Sequence, residues 1–247
     1  TTVNYNRDVE AFPVVKALMQ KILGESPYQS PTDMGVNMVG FAISDDDACR
    51  DASRAEIVRR YFHSAEDCKR SGAGEQELHK IELLMSRVGI SADVLPARKA
   101  CLEKEEATGG PSGAIELPNG TVVTGKTGNL MGCASSLLMN ALKALAGVDD
   151  DLLVIDDEVI APICHLKTEH LKSTNPRLHS DETLLALAVS SRGNAIAAQL
   201  MDSINKLKGC DAHFSVIISP TDENLYRTLG INVSCEPKFE QRRFYHK

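Results

Sequence analysis

The chain has 247 residues, a formal net charge of −7, and 43% hydrophobic against 25% charged residues, which is globular composition on a length that suits one large domain or two small ones. The acidic balance argues against general binding to nucleic acid or anionic membranes, which needs a basic surface, and no apolar run approaches the ~20 residues of a membrane span. Seven cysteines are scattered, odd in number and without C-x-x-C spacing, which is neither a disulfide framework nor a zinc ribbon and predicts a cytoplasmic, reducing compartment.

The start, TTVNYNRDVE, has no signal-peptide layout and no initiator Met, so the chain reads as a fragment or a processed product. Asn4–Asp8 is either a polar contact surface or a loop with Asp8 as a cap. Aromatics are 4% and tryptophan is absent, so aliphatic residues must build the core. A helix over 11–25 would bury Val15, Leu18, Met19 and Ile22 and stop at Gly24. SPTDMGVNMVGF predicts another, weakened by Gly35 and Gly40. Ser44 and Asp47 make an acidic capping box before the stripe Ile57, Val58, Tyr61 and Phe62. EQELHKIELLMSRVG has the clearest helical period, through Leu78, Ile81, Leu84, Met85 and Val88, with Gly89 as its end. SADVLPARKACLEKEE continues as a helix with Pro96 in its first turn.

At TGGPSG, residues 108–113, the character changes. The expectation is a mostly helical part over 1–108 and an α/β part over 109–247, with a mixed sheet and flanking helices. Predicted strands are AIELP, TVVT, LLVI, HFSVIIS and INVSC. Predicted helices are 130–146, 157–171, 181–192, 194–208 and 221–229, the last with Ser219 as cap and Pro220 in its first turn.

Residues 120–127, GTVVTGKT, fit the phosphate-loop pattern on paper. The four central residues are Thr121, Val122, Val123 and Thr124, all β-branched and suited to an extended strand rather than a curled loop. Asn119-Gly120 signals a hairpin. A two-residue turn there would place Leu117 opposite Val122 and Ile115 opposite Thr124. Gly125, Lys126, Thr127, Gly128 and Asn129 then form a glycine-rich entry to a helix capped by Asn129 and ended by Gly147. Helix N-termini attract anions. If LLVI ran parallel to TVVT, Lys126 and Asp156/Asp157 would share one sheet edge. The alternative is a solvated lysine and two helix-capping aspartates.

CHLKTEHLKSTNPRLHSDE, residues 164–182, is the densest polar segment. Asn175, Arg177, His179 and Asp181 could converge on a ligand, or Ser180 or Asp181 could simply cap a helix. A metal held by His165, His170, His179 and Asp181 is a weaker alternative. On an α-helix the first two histidines stand about 140° apart around the axis. His213 begins HFSVIIS on the polar face and reads as structural. The basic tail QRRFYHK reads as a solvated terminus.

TTVNYNRDVEAFPV, SPTDMGVNM, AIELPNGTVVTGKTGNLMG, HLKTEHLKSTNPRLHSDE and DAHFSVIISPTDENLYRTLGINVSCEP together resemble the bacterial family called domain of unknown function 1846. Members run to about twice this length, so the resemblance implies the C-terminal half, with the missing N-terminal half as a partner. It implies a cytosolic bacterial protein and supplies no catalytic residue and no cofactor. Two function classes stay open. One is an enzyme half that binds a phosphorylated or otherwise anionic small molecule at Gly125–Asn129, with Arg177, His179 and Asp181 as polar partners. The other is a non-catalytic module for homo-oligomerisation or domain docking.

Overall fold

The structure, a computed structural model, describes residues 5–29 and 46–240. The predicted helix over SPTDMGVNMVGF, the Ser44 cap and the basic tail lie outside them. Two compact units divide the chain, Thr1–Val94 and Leu95–Lys247. The fold is mixed α/β, with nine α-helices and one four-stranded sheet among the described residues.

The first unit is helical. It holds α1 (Tyr5–Leu23), α2 (Asp46–Ser71), α3 (Glu75–Val88) and a 3-10 turn, Ala92–Val94. α2 buries Ile57, Val58 and Phe62, and α3 buries Ile81, Leu84 and Met85, as their 3.6-residue spacing requires. Gly89 ends α3 in the left-handed conformation at φ 64°, which glycine adopts without steric cost. Two expectations are corrected in α1. Asp8 lies inside the helix and does not cap it. Leu18 and Ile22 face outward, while Phe12 is the buried residue.

The second unit begins with α4 (Pro96–Thr108). It continues through β1 (Ser112–Glu116), β2 (Val122–Lys126), α5 (Cys133–Ala146), α6 (Asp157–His165), a π-helical turn (Leu166–His170) and α7 (Ser180–Ser190). Then follow α8 (Ala195–Asp202), a 3-10 turn (Ile204–Leu207), β3 (Asp211–Phe214), α9 (Pro220–Thr228) and β4 (Asn232–Cys235). The change of character at 108–113 is thus the passage from α4 to β1, and the division between units falls before α4. Strand order is β2-β1-β3-β4, antiparallel except for the parallel β3–β4 pair.

Period-2 alternation gives the sheet two unlike faces. Ile115, Ala212, Phe214, Val233 and Cys235 look into the main core with α5 and Tyr226 of α9. Ala114 and Val122 look the other way, against Ala97 and Cys101 of α4. That second face is polar. His213 Nδ1 meets Ser234 Oγ at 2.8 Å, His213 Nε2 meets Glu236 Oε1 at 3.3 Å, and Arg98 Nε of α4 donates to the same carboxylate at 2.7 Å. Ser112 Oγ donates to the Cys101 carbonyl at 2.7 Å, and Ser215 Oγ accepts the Ser112 N–H at 3.0 Å. Burial pushes the His213 imidazole below its ordinary range. Burial works to raise Glu236, but the hydrogen bond from His213 and the Arg98 guanidinium more than offset it and hold the carboxyl low.

Two strand expectations fail. LLVI, residues 152–155, forms no strand and takes no part in the sheet. HFSVIIS is a strand only to Phe214; beyond it the chain bends at Ser215 and Val216, although the Ser215 N–H still donates to Ser112 O at 3.0 Å. No βαβ unit links β2 to LLVI, because among the described residues β2 pairs with the antiparallel β1 alone.

Candidate functional site

The hairpin forms, but with a three-residue loop. Leu117 N–H donates to Thr121 O at 2.9 Å and Gly120 N–H to Leu117 O at 2.8 Å, and Gly120 sits at φ 80°. This is the turn-plus-αL-glycine connection. Ile115 therefore faces Val123, and Glu116 faces Val122. A slip of one residue exchanges the faces, so Val123, not Thr124, joins Ile115 against the main core.

The glycine segment is tied into the fold. Leu117–Thr121 and Thr127–Pro111 are hydrogen-bonded pairs. Alternation along an antiparallel ladder makes Gly125–Gly113 another. Thr127 N–H goes to Pro111 O at 2.9 Å, and Gly128 N–H to Met131 O at 2.9 Å. These donors are consumed by the backbone. Helix α5 starts at Cys133 with Gly132 at its N-cap, so Asn129 does not cap it. Lys126 is exposed at the end of β2. Gly125 has a packing role: a Cβ there would stand 2.4 Å from Leu137 N and 2.5 Å from Leu137 Cα.

The second polar segment braces the first. Arg177, buried, donates from Nε to Gly128 O at 2.7 Å. Leu178 N–H donates to Leu130 O at 2.8 Å, and Ser135 Oγ to Leu178 O at 2.8 Å. Buried Lys167, on the π-turn, donates to Arg177 O at 2.6 Å and to Glu182 Oε2 at 2.7 Å, and stands 3.3 Å from His179 Nδ1. An ammonium only donates, so in this contact His179 Nδ1 is the acceptor. His179, not Ser180 or Asp181, takes the N-cap position of α7, and its N–H is accepted by Glu182 Oε2 at 2.8 Å. Asp181 Oδ1 accepts the Glu182 N–H at 2.8 Å.

His179, Asp181 and Glu182 bring potential ligand atoms within 4.8 Å of one another. The Lys167 ammonium already holds two of these three residues, and its positive charge opposes a metal ion at the same place. His165 and His170 are not part of this cluster. They do approach each other, with ring centroids 5.6 Å apart at 82°. The expectation of divergent rings assumed an α-helix. A π-turn, with its i→i+5 pattern, brings residues five apart nearly into line. Burial pushes the Cys101 thiol up to about 12 and Cys133 well above its ordinary range, so neither is a thiolate near neutral pH.

A groove of about 360 Å³ lies along α5. Ser136, Met139, Asn140 and Lys143, at helical spacing, form its floor. Gly128 and Asn129 stand on one rim, and Val154, Asp157 and Ile160 line it as well. Asn140 Nδ2 is fixed by Thr124 O at 2.9 Å, and Lys143 Nζ donates to Asp150 O at 2.5 Å. Of the expected site residues, Gly128 and Asn129 line this groove; Lys126, Arg177, His179 and Asp181 do not. The sequence reading missed Asn140 and Lys143. They stand within one turn of each other in the otherwise apolar stretch that follows Ser136, and that was the available signal.

Two family models match the chain. Residues 93–245 match the domain of unknown function DUF1846, C-terminal, and residues 1–89 match the N-terminal model of the same name. The chain belongs to the DUF1846 family. The expectation of a C-terminal half alone is corrected, because DUF1846 N-terminal sequence occupies the first 89 residues. A UPF0371 protein of Streptococcus thermophilus is 50% identical over 247 residues, 100% of this chain and 50% of that protein. One from Corynebacterium diphtheriae is 48% identical over 246 residues, and one from Streptococcus pneumoniae 49% over 247, with the same coverage. The chain thus spans half the length of these DUF1846 relatives. No helix among the described residues is long and apolar enough to cross a membrane.

Proposed function

We propose that the second unit forms one wall of a small-molecule site, with the α5 groove as its floor. One observation carries this: a concave surface of about 360 Å³, apolar along Met139, Val154 and Ile160, with Asn140, Lys143 and Asp157 among them. Binding sites combine an apolar body with a few placed polar groups, and they often lie between domains. The ligand that suits it has an apolar part and a phosphate or carboxylate. Lys143 supplies the charge, since only one of its three donors goes to Asp150 O. Exposed Lys126 is a second cation to test. The opposite wall would come from the half of the DUF1846 protein that this chain does not span.

The test is calorimetry and thermal shift with inorganic phosphate, sugar phosphates, nucleotides and short fatty acids on the full-length S. thermophilus relative. Binding should disappear when the residue at the position aligned with Lys143 is changed to Ala. Binding that persists without it, or no binding in any class, sinks the reading. A second reading has its own observation. Leu153, at the rim, is 87% exposed beside Leu130 and Leu152, which suits a docked protein segment or a second copy. Concentration-dependent light scattering separates that reading from the first.

A further inference from the structure

The first unit carries an apolar surface that its described elements leave open. Helix α1 exposes Val14 by 63%, Leu18 by 53%, Ile22 by 68% and Leu23 by 60%. Val14, Leu18 and Ile22 follow one another at intervals of four residues and so form one stripe. A depression of about 390 Å³ runs along it, lined by Pro13, Val14, Ala17, Leu18 and Lys21. On the other flank α1 and α3 enclose about 190 Å³, with Lys16, Gln20 and Arg87 beside Phe12 and Leu84. Single exposed aliphatic residues need no cause, whereas a contiguous stripe marks a contact surface.

The size of the family proteins indicates the occupant. Residues 1–89 match the N-terminal family model, and residues 93–245 match the C-terminal one. Relatives at 50% identity are twice as long as this chain. We infer that the Val14–Leu18–Ile22 stripe is a seam against which the other half of the family protein packs. The charges favour that half over a second copy. Lys16, Lys21 and Arg87 border the stripe, and a two-fold contact along α1 would set these cations against their own images. The matching surface is therefore an aliphatic patch with an acidic rim.

Hydrogen exchange on the full-length S. thermophilus protein tests this without any substitution. Amides of the segment aligned with α1 should exchange at least 100-fold more slowly than the exposed hairpin amide aligned with Asn119. Exchange within tenfold of the hairpin overturns the proposal. Protection that rises with protein concentration also overturns it, since the contact is then between copies. A paired change at the positions aligned with Leu18 and Ile22, both to Asp, should open protease cleavage between the halves. Asp at the position aligned with Gln20 should not. Equal resistance in the two variants counts against the seam.

Discussion

Gly125→Ala isolates what the glycine of the GKT segment does. The added Cβ would lie 2.4 Å from Leu137 N and 2.5 Å from Leu137 Cα, about 1 Å inside ordinary contact. No side-chain rotation relieves a clash with backbone, so α5 must lift off β2 or the strand must bend. Gly113, the cross-strand partner, is packed as closely: a Cβ there would meet the Phe214 ring at 2.6 Å. Overpacking costs about 1–3 kcal/mol where side chains can adjust, and more where they cannot. A loss of about 3 kcal/mol or more is expected, which in a unit of this size lowers Tm by roughly 6–12 °C. Gly128→Ala is the contrast. Its nearest neighbour is Met131 O at 3.9 Å and its φ is not positive, so stability should stay within about 0.5 kcal/mol. Calorimetry and urea unfolding of the two variants against wild type decide the matter. A phosphate loop would give two folded proteins with impaired anion binding. Gly125→Ala melting within about 1 °C of wild type would refute the packing argument.

The remaining predictions concern buried charge. Burial holds His213 below its ordinary range, so the unfolded chain binds the proton first, and stability is complete above about pH 6.5 and falls as pH drops from there through the lower folded value. Urea midpoints at pH 7.5 and pH 5.5 should show this loss in wild type, and a flatter profile in His213→Gln; an unchanged slope would remove His213 as its source. Lys167→Met takes the ammonium from the Arg177 carbonyl and from Glu182, which keeps the His179 N–H, and should cost about 2–3 kcal/mol in chemical unfolding, below the range for wholly buried pairs because Glu182 is partly exposed. The same argument makes zinc a probe: it should raise the Tm of Lys167→Ala through His179, Asp181 and Glu182 and leave wild type unmoved, and equal shifts would show that the ammonium does not exclude the ion.

Much of the fold was legible because local chemistry governs it. Gly89 and Gly147 end helices as left-handed caps. Ser219 accepts the Asp222 N–H, and Asn194 starts α8 by accepting two N–H groups. What failed depended on partners. The Asn119-Gly120 signal located the hairpin but not its loop length, because Pro118 joins the turn and shifts the register by one. LLVI is a short apolar run, and periodicity cannot separate a strand from an apolar cover; here Val154 and Ile155 cover α5. The stripe on α1 obeyed helical spacing, yet spacing says which residues share a face and not whether anything covers it. The His165–His170 approach depends on a π-turn, which leaves no simple mark on residue type.

The candidate site was partly legible for a related reason. Residues 120–128 suggested a ligand loop because glycine, lysine and threonine serve both phosphates and tight packing. Each backbone position tested in the structure has an architectural partner. Gly120 turns the hairpin, Val123 faces the core, Gly125 seats α5, and Thr127 and Gly128 bond to Pro111 and Met131. Arg177 then clamps Gly128 from α7's leading loop, while Lys167 clamps Arg177. These bonds immobilise the rim on which Gly128 and Asn129 stand, and a site gains affinity when its walls are ordered before the ligand arrives. On the proposed reading the chemistry belongs to the groups that line the groove from α5, Asn140 and Lys143, with the glycine segment as their support.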